Sequence, residues 1–275
     1  MKRSFCFTVD DNIRFFRELT EQPSESIFDH PYLGMYKHLH EKYGLKVQMN
    51  LFFEDQYFDL TKMTDRYKEE WSRNSNWLKL SFHSKRENYN PYAMSKYDEV
   101  FEDCKKVHQE IIRFASKDAL GKTTTIHFCN VTDEGIMALR DNGVQGLLGL
   151  YGDEEHPRGS YKNTLDECDD LRKGELVLRD GVTYGGIDIV LNKFSKEKIE
   201  EQLNQLFHRN LIKVMIHEQY FYEDYHLYQK DFEAKLDHTF NLLLKNEFCS
   251  IFFEERIKKY MNLQKENNYE NSFSR

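Results

Sequence analysis

Short apolar segments with strand-like composition alternate along most of this chain with longer segments of helical periodicity. The strand-like segments span 4–9, 45–53, 77–82, 123–128, 144–150, 211–216 and 249–253. Repeated β-α units of this kind are typical of a parallel sheet that is closed, or nearly closed, into a barrel. The predicted fold class is therefore α/β, a (β/α) barrel with its site at the carboxyl ends of the strands.

Local signals mark the ends of several predicted helices. Residues 30–42 carry apolar side chains at helical spacing, and Gly44 follows as a residue that accepts the left-handed conformation after a helix. Ser95 begins a capping-box signature for a long helix, and Thr132 and Ser195 are expected to cap two more.

Two segments depart from the alternation. The stretch 151–191 is rich in glycine and charge, and an Arg179-Asp180-Gly181 turn separates two β-like runs within it. It is predicted to be a β-rich insertion, either a hairpin or a flap. The segment 254–275 is highly charged, so the expected organisation is one barrel domain at 1–253 and a frayed tail at 254–275.

Composition and charge limit the classes of partner. The net charge of −8 provides no basic patch, so neither nucleic acid nor an anionic membrane is an expected partner. The five cysteines include no C-x-x-C pair, so neither a zinc knuckle nor a disulfide framework is indicated. No segment has the length of a membrane span and no signal-peptide pattern begins the chain, which leads us to expect a cytoplasmic protein.

Three predicted strands end in residues that can bind a metal or transfer a proton. The first strand runs into Asp10 and Asp11, and two others end at His83 and His217. Adjacent carboxylates at the end of a buried strand repel each other and lose hydration, so they persist mainly where a metal, a proton or a substrate compensates them. The alternative is that the aspartates cap the following helix, with one carboxylate in water.

These residues resemble the motifs of the polysaccharide deacetylases, the NodB-homology or carbohydrate esterase family 4 group. The family's T-F-D-D-G strand end corresponds to Thr8-Val9-Asp10-Asp11-Asn12. Its H-[ST]-x-x-H motif corresponds to His83-Ser84-Lys85-Arg86-Glu87, and a later strand ending in histidine corresponds to Val214-Met215-Ile216-His217. The resemblance covers roughly residues 1–253 in the order and spacing of elements.

The resemblance implies a distorted (β/α) barrel that removes an N- or O-linked acetyl group from a carbohydrate with one divalent metal ion, Zn, Mn, Fe or Co. It implies that Asp10 is the general base, that Asp11 and His83 are metal ligands, and that His217 protonates the leaving amine. In such a site the metal lowers the pKa of its bound water toward about 7 and polarises the acetyl carbonyl.

The chain departs from the family pattern at several positions. Glu87 replaces the second metal-binding histidine, so the implied ligands are Asp11, His83 and Glu87, a harder set that favours Mn²⁺ or Fe²⁺ without excluding Zn²⁺. The family's R-x-P-Y motif, whose arginine orients the base, is missing. His127 lies where the fourth strand ends, and it either takes over part of that arginine's work or is a core histidine. Asn12 replaces a glycine and is expected to accept positive φ.

The residues after His217 form a polar-aromatic cluster, in which Tyr220 and Tyr222 join His127 as candidate substrate-binding residues. For the tyrosines the alternative is loop packing. The expected function is that of a metal-dependent hydrolase acting on an acetylated carbohydrate or small molecule. The alternatives are a non-catalytic carbohydrate-binding or regulatory protein on the same barrel, and a hydrolase of another C–N or glycosidic bond. The substrate and the oligomeric state stay open.

Overall fold

The computed structural model describes residues 2–87, 91–151 and 161–260. The strands are β1 Ser4–Asn12, β2 Val47–Phe52, β3 Leu78–Ser84, β4 Thr123–Thr124, β5 Gly146–Gly149, β6 Leu176–Arg179, β7 Val182–Gly186, β8 Ile189–Val190, β9 Leu211–His217 and β10 Cys249–Ser250. The helices are α1 Arg14–Glu21, α2 Pro31–Tyr43, α3 Lys68–Arg73, α4 Tyr97–Phe114, α5 Asp133–Asp141, α6 Leu165–Lys173, α7 Lys196–Leu206, α8 Phe232–Lys245 and α9, 253–260. Within these ranges, every helix is either too short or too polar to traverse a lipid bilayer.

The strands form two sheets. The larger sheet has the order β3-β2-β1-β9-β8, with β10 also paired to β1, and all of its pairings are parallel. The smaller sheet has the order β4-β5-β7-β6 and is parallel except for the hairpin pair β6-β7. Parallel neighbours need crossover connections, which the intervening helices provide.

The two sheets follow one another around a barrel-like ring. On one side the backbone amide of Ile187 donates to Gly149 of β5 at 2.8 Å, and β8 then pairs with β9. On the other side an isolated parallel bridge joins Leu80 of β3 to Leu120, just before β4. Strand pairing is therefore nearly continuous around the ring, and the predicted distorted (β/α) barrel is confirmed.

Strand β1 lies at the centre of the larger sheet, and all nine of its residues are buried. Phe5 and Phe7 both contact the ring of Phe240 on α8, with centroids 5.7 and 5.0 Å apart. Because side chains alternate along a strand, the intervening positions Cys6 and Thr8 face the opposite side of the sheet. Burial on both sides is what a central parallel strand requires.

Most of the predicted helix signals are confirmed. Gly44 ends α2 with φ of +63°, and the hydroxyls of Thr132 and Ser195 accept hydrogen bonds from backbone amides in the first turns of α5 and α7. The prediction of a capping box at Ser95 was wrong, because the N-cap of α4 is Lys96 and no side chain caps this helix.

The stretch 151–191 contains the predicted hairpin. Asp180 and Gly181 have φ of +52° and +80°, the left-handed conformation that a two-residue hairpin turn requires at both positions. The second hairpin strand, β7, pairs in parallel with β5, so the segment supplies a strand of the barrel wall and not a detached flap. Helix α6 lies in the same segment, and residues 152–160 are outside the described ranges.

The packed structure continues past the predicted boundary at residue 253. Helix α9 covers 253–260, and its Ile257 is buried in a small cluster with Cys6 and Phe253. The first part of the segment expected to be a charged tail is therefore helical, and residues 261–275 lie outside the described ranges.

Candidate metal centre and cleft

A cleft of about 780 Å³ lies at the carboxyl ends of β1 and β9. Its walls include Asp10, Asp11, His127, His217 and Tyr220, all of which the sequence analysis singled out. We refer to the cavity lined by these residues as the main cleft. Its position agrees with the rule that places sites at the carboxyl ends of parallel strands.

An irregularity in β1 brings two adjacent carboxylates to the same cavity. Neighbouring residues of a regular strand point to opposite faces, yet Asp10 and Asp11 both line the main cleft. The register of β1 against β2 shifts between Val9 and Asn12, and Asp11 has a left-handed backbone with φ of +64°. This bulge redirects the Asp11 side chain, as bulges next to functional sites commonly do.

Asn12 stabilises the bulge through its side chain. Its Nδ2 donates to the carbonyls of Val9 and Asn50 at 2.6 and 3.0 Å, and the Tyr32 hydroxyl donates to its Oδ1 at 3.0 Å. The expectation of positive φ at Asn12 was wrong, because the left-handed residue is Asp11. A glycine at position 12 could make none of these side-chain hydrogen bonds.

Three side chains converge on one point. Oδ1 of Asp11 lies 3.0 Å from Nε2 of His83 and 3.3 Å from Nδ1 of His127, and the two nitrogens are 3.2 Å apart. Within the described ranges, these residues form the group of histidine and acidic side chains that could hold a metal ion. His83 is 2% exposed and lies behind the other two, which line the main cleft.

Backbone carbonyls determine which imidazole nitrogens face Asp11. Nδ1 of His83 contacts the carbonyl of Thr125, and Nε2 of His127 lies 2.8 Å from the carbonyl of Glu87. A carbonyl oxygen only accepts, so each of these nitrogens carries the ring proton. The remaining nitrogens then present lone pairs toward a carboxylate oxygen. Three acceptors at such distances repel one another unless a cation, or additional protons on the imidazoles, lies between them.

The spacing suits a metal ion. A tetrahedral ion with bonds of about 2.0–2.1 Å has its ligand atoms roughly 3.3 Å apart, close to the three measured separations. Gln219 Nε2 donates to Asp11 Oδ2 at 2.8 Å, which orients the carboxylate and leaves Oδ1 for the ion. Two imidazoles and a carboxylate suit Zn²⁺ and the neighbouring divalent transition metals.

The candidate group differs at one position from the ligand set expected from the motif. Glu87 contributes its backbone carbonyl to the centre, whereas its exposed carboxylate is outside the group of three ligands. Partial loss of hydration in the wall of the main cleft and the nearby Asp11 raise the pKa of the Glu87 carboxyl. His127, expected to bind substrate, is the third member of the candidate group, 44 residues after His83. A histidine at a fourth strand end was the signal that could have indicated this role.

The two aspartates have opposite electrostatic environments. Burial raises the pKa of Asp10, although His83 and His217 act against this shift. Burial also favours the neutral form of Asp11, but His127 and His83, which donate hydrogen bonds to Asp11 when their imidazoles carry a second proton, hold the pKa of Asp11 well below its ordinary value. Two neighbouring carboxyls with pKa values displaced in opposite directions are suited to different roles. Asp11 is suited to remain an anionic ligand, and Asp10 to exchange a proton.

Polar partners orient Asp10 and His217. Asn50 Nδ2 donates to Asp10 Oδ1 at 2.6 Å, and His217 Nδ1 lies 2.9 Å from Asn192 Oδ1. Asp10 and His217 are also direct neighbours in the β1-β9 pairing, which places base and acid candidates side by side.

The two candidate tyrosines have different environments. Tyr220 lines the main cleft, and its role in substrate binding stays a prediction. Tyr222 is 7% exposed, donates its hydroxyl to Glu218 and packs under the Arg14 guanidinium, 3.8 Å from the ring centroid. It borders a side cavity of about 310 Å³ that shares Asp11, Glu87 and Gln219 with the main cleft. A role of Tyr222 in substrate binding stays a prediction.

Sequence reasoning missed the polar residues that support the site. Four polar side chains contact candidate residues: Asn50 contacts Asp10, Asn192 contacts His217, Glu218 contacts Tyr222 and Gln219 contacts Asp11. For Asn50 a signal was present, because it is a polar residue inside the apolar β2 segment and is fully buried. A buried amide needs partners, and here one partner is Asp10.

Neither a family model nor a curated protein matches the chain. Among solved structures, a 4-alpha-glucanotransferase from Thermococcus litoralis has a TM-score of 0.60 at 12% identity, over 94% of this chain and 41% of that chain. The peptidoglycan deacetylase PdaC from Bacillus subtilis has a TM-score of 0.49 at 10% identity, over 98% and 97%. A CE4 family pseudoenzyme from Bacillus anthracis has a TM-score of 0.47 at 10% identity, over 93% and 66%.

The likeness to the glucanotransferase shows a shared fold alone, because only 12% of the residues are identical. The chain spans 41% of the length of that enzyme. Similar solved structures also include deacetylases of the family that the sequence motifs resemble. The function of this chain is therefore inferred from the geometry of the site.

Proposed function

We propose that this protein is a metal-dependent hydrolase that removes an acetyl group from a carbohydrate. The observation that carries the proposal is the convergence of three lone-pair-bearing atoms, from Asp11, His83 and His127, beside the ionisable Asp10. The position of this group in a cleft at the carboxyl ends of the strands supports a catalytic role.

The metal ligands would be Asp11, His83 and His127. A divalent ion there would polarise the acyl oxygen and make water a better nucleophile at neutral pH. Gln219 would keep the Asp11 carboxylate oriented through its 2.8 Å hydrogen bond. The carbonyls of Thr125 and Glu87 would keep each imidazole in the tautomer that offers a lone pair to the ion.

Asp10 is the proposed general base. It accepts a proton from the attacking water while the water oxygen bonds to the acyl carbon. A buried carboxyl with a raised pKa is a stronger base, once ionised, than a carboxylate in water. Asn50 takes the orienting role that the deacetylase motif gives to an arginine, through its 2.6 Å hydrogen bond to Asp10. Because Asn50 is neutral, it lowers the Asp10 pKa less than a guanidinium would.

His217 is the proposed general acid. When the bond between the acyl carbon and the sugar nitrogen or oxygen breaks, His217 donates a proton to the departing atom, which leaves as an amine or a hydroxyl. Its Nδ1 contact with Asn192 fixes the ring plane. Its place beside Asp10 in the strand pairing puts acid and base within reach of the same acyl group.

The test is acetate release from acetylated oligosaccharides, of both the N-linked and the O-linked kinds, by protein loaded in turn with Zn²⁺, Mn²⁺, Co²⁺ and Fe²⁺. We expect one ion to support release and Asp10→Asn to abolish it without loss of the metal. If the wild type binds an ion but releases no acetate from any substrate, the hydrolase proposal is wrong.

A carbohydrate-binding protein on the same barrel is the second candidate. Phe128, whose side chain is 58% exposed, lies in the wall of the main cleft and offers a surface on which a sugar ring can stack. Retention of an unhydrolysed oligosaccharide by the metal-loaded wild type, in isothermal titration calorimetry, would support this candidate over the hydrolase.

A further inference from the structure

Glu218 stands between two residues of the main cleft, His217 and Gln219, but is not among the residues that line the cleft. Its side chain is 1% exposed, and its carboxylate accepts four hydrogen bonds. The donors are the backbone amides of Ile13, Arg14 and Phe15, at 2.7, 3.1 and 2.9 Å, and the Tyr222 hydroxyl at 3.1 Å.

The three amides belong to the start of α1. The first amides of a helix have no partner within the helix, and a side chain at the N-cap usually accepts from one of them. The N-cap of α1 is Ile13, which provides no such bond. Glu218, 205 residues later in the chain, supplies the missing acceptor.

Each of residues 217–219 pairs with or hydrogen-bonds to the segment that carries the two aspartates. His217 pairs with Asp10 in the strand ladder, and Gln219 donates to Asp11. Between them, Glu218 binds the amides that begin two residues after Asp11. The bulge at Asp11 interrupts regular pairing of β1 with β2, so the Glu218 contacts supply support that the sheet does not provide there.

We infer that Glu218 is a positioning residue, which holds the bulged Asp11 at the distance from His83 and His127 that metal binding requires. The inference rests on the proposed metal centre. It assigns Glu218 an effect on metal affinity through Asp11, without contact between Glu218 and the ion.

The test compares Glu218→Gln with Glu70→Gln. The amide of glutamine places hydrogen atoms toward backbone donors that need an acceptor, so the start of α1 and the adjoining bulge should loosen. Glu70 is a matched control, because its carboxylate also accepts from the backbone amide of another segment, that of Ile27 at 2.9 Å, but that segment carries none of the three proposed metal ligands. The affinity for Zn²⁺ is measured at pH 8 by competition with a chromophoric chelator. The melting temperature of the metal-free protein is measured by circular dichroism.

We expect Glu218→Gln to weaken Zn²⁺ binding by roughly 10- to 100-fold, the usual cost of removing support behind a metal ligand. Glu70→Gln should keep the wild-type affinity, whatever its melting temperature. Equal Zn²⁺ affinity in wild type and Glu218→Gln, or an equal loss in both variants, would overturn the inference. If the wild type itself binds no metal, the proposed function fails. If the wild type binds Zn²⁺ and Glu218→Gln binds it equally well, only the inference about Glu218 fails.

Tyr222→Phe provides a milder variant if Glu218→Gln does not fold. It removes one of the four hydrogen bonds to Glu218 and no ligand of the proposed centre. We expect a smaller loss of Zn²⁺ affinity in the same direction. An unchanged affinity in a folded Tyr222→Phe protein would count against a positioning role.

Discussion

Replacing His127 and Glu87 separately by alanine distinguishes the two possible ligand sets. The structure places His127 Nδ1 3.3 Å from Asp11 Oδ1 and 3.2 Å from His83 Nε2, whereas Glu87 contributes only a backbone carbonyl. Glu87→Ala keeps that carbonyl. The His127→Ala variant should therefore lose metal, and the Glu87→Ala variant should retain it.

The size of the effect follows from the number of ligands. Four-ligand protein zinc sites bind with about 10–16 kcal/mol, which corresponds to roughly 3 kcal/mol for each ligand. At 1.4 kcal/mol for each factor of ten, loss of His127 should weaken Zn²⁺ binding by about 10²-fold or more. Glu87→Ala should change the affinity by no more than about threefold, because its exposed carboxylate contributes at most a weak, screened attraction.

The assay is titration of each metal-free variant with Zn²⁺ against a chelator, followed by the visible absorption spectrum of the Co²⁺-loaded protein. The Co²⁺ spectrum reports the ligand atoms directly, so it should change in His127→Ala and stay the same in Glu87→Ala. Loss of metal in Glu87→Ala together with retention in His127→Ala would refute the ligand set and support the one expected from the sequence motif.

Three further predictions concern catalysis and stability. Asp10→Asn should lower acetate release by roughly 10²- to 10⁴-fold while leaving Zn²⁺ affinity intact, and parallel loss of metal would contradict a base role. Asn12→Ala should reduce the free energy of unfolding, measured by urea titration, by about 2–3 kcal/mol, because three buried hydrogen bonds disappear. His108 is buried in α4, and burial lowers its pKa to about 4 from 6.5, so its contribution to stability is present above pH 6.5 and lost as the pH falls toward 4. Between pH 7 and pH 5 the wild type should lose about 2 kcal/mol more than His108→Gln, and equal losses would contradict this.

Much of the fold was predictable because its signals are local. The conformation after α2 depends on Gly44 alone, and the caps of α5 and α7 depend on Thr132 and Ser195 and the turns beside them. The prediction of Ser95 as a cap was wrong because the helix begins one residue later, with Lys96 at its N-cap. The Ser95 carbonyl accepts a hydrogen bond from the Thr132 hydroxyl at 2.7 Å, an interaction that no local pattern contains.

The candidate site was predictable to the extent that strand ends determine it. Asp10, Asp11, His83 and His217 lie at the carboxyl ends of parallel strands. The architecture therefore brings them to the same edge of the sheet. The role of His127 was not predictable in this way. The fourth strand ends early in a short turn, His127–Cys129, in which Phe128 has φ of +62°, and this turn directs the imidazole toward Asp11.

The sequence by itself therefore determined the order of strands and helices and the identity of the residues at the strand ends, because both follow from short-range periodicity. Only the tertiary structure decided which of those residues share the candidate metal centre. That choice depends on the bulge at Asp11 and on the carbonyls of Thr125 and Glu87, which set the imidazole tautomers. These contacts join segments far apart in the chain, and their geometry exists only once the barrel has brought the segments together.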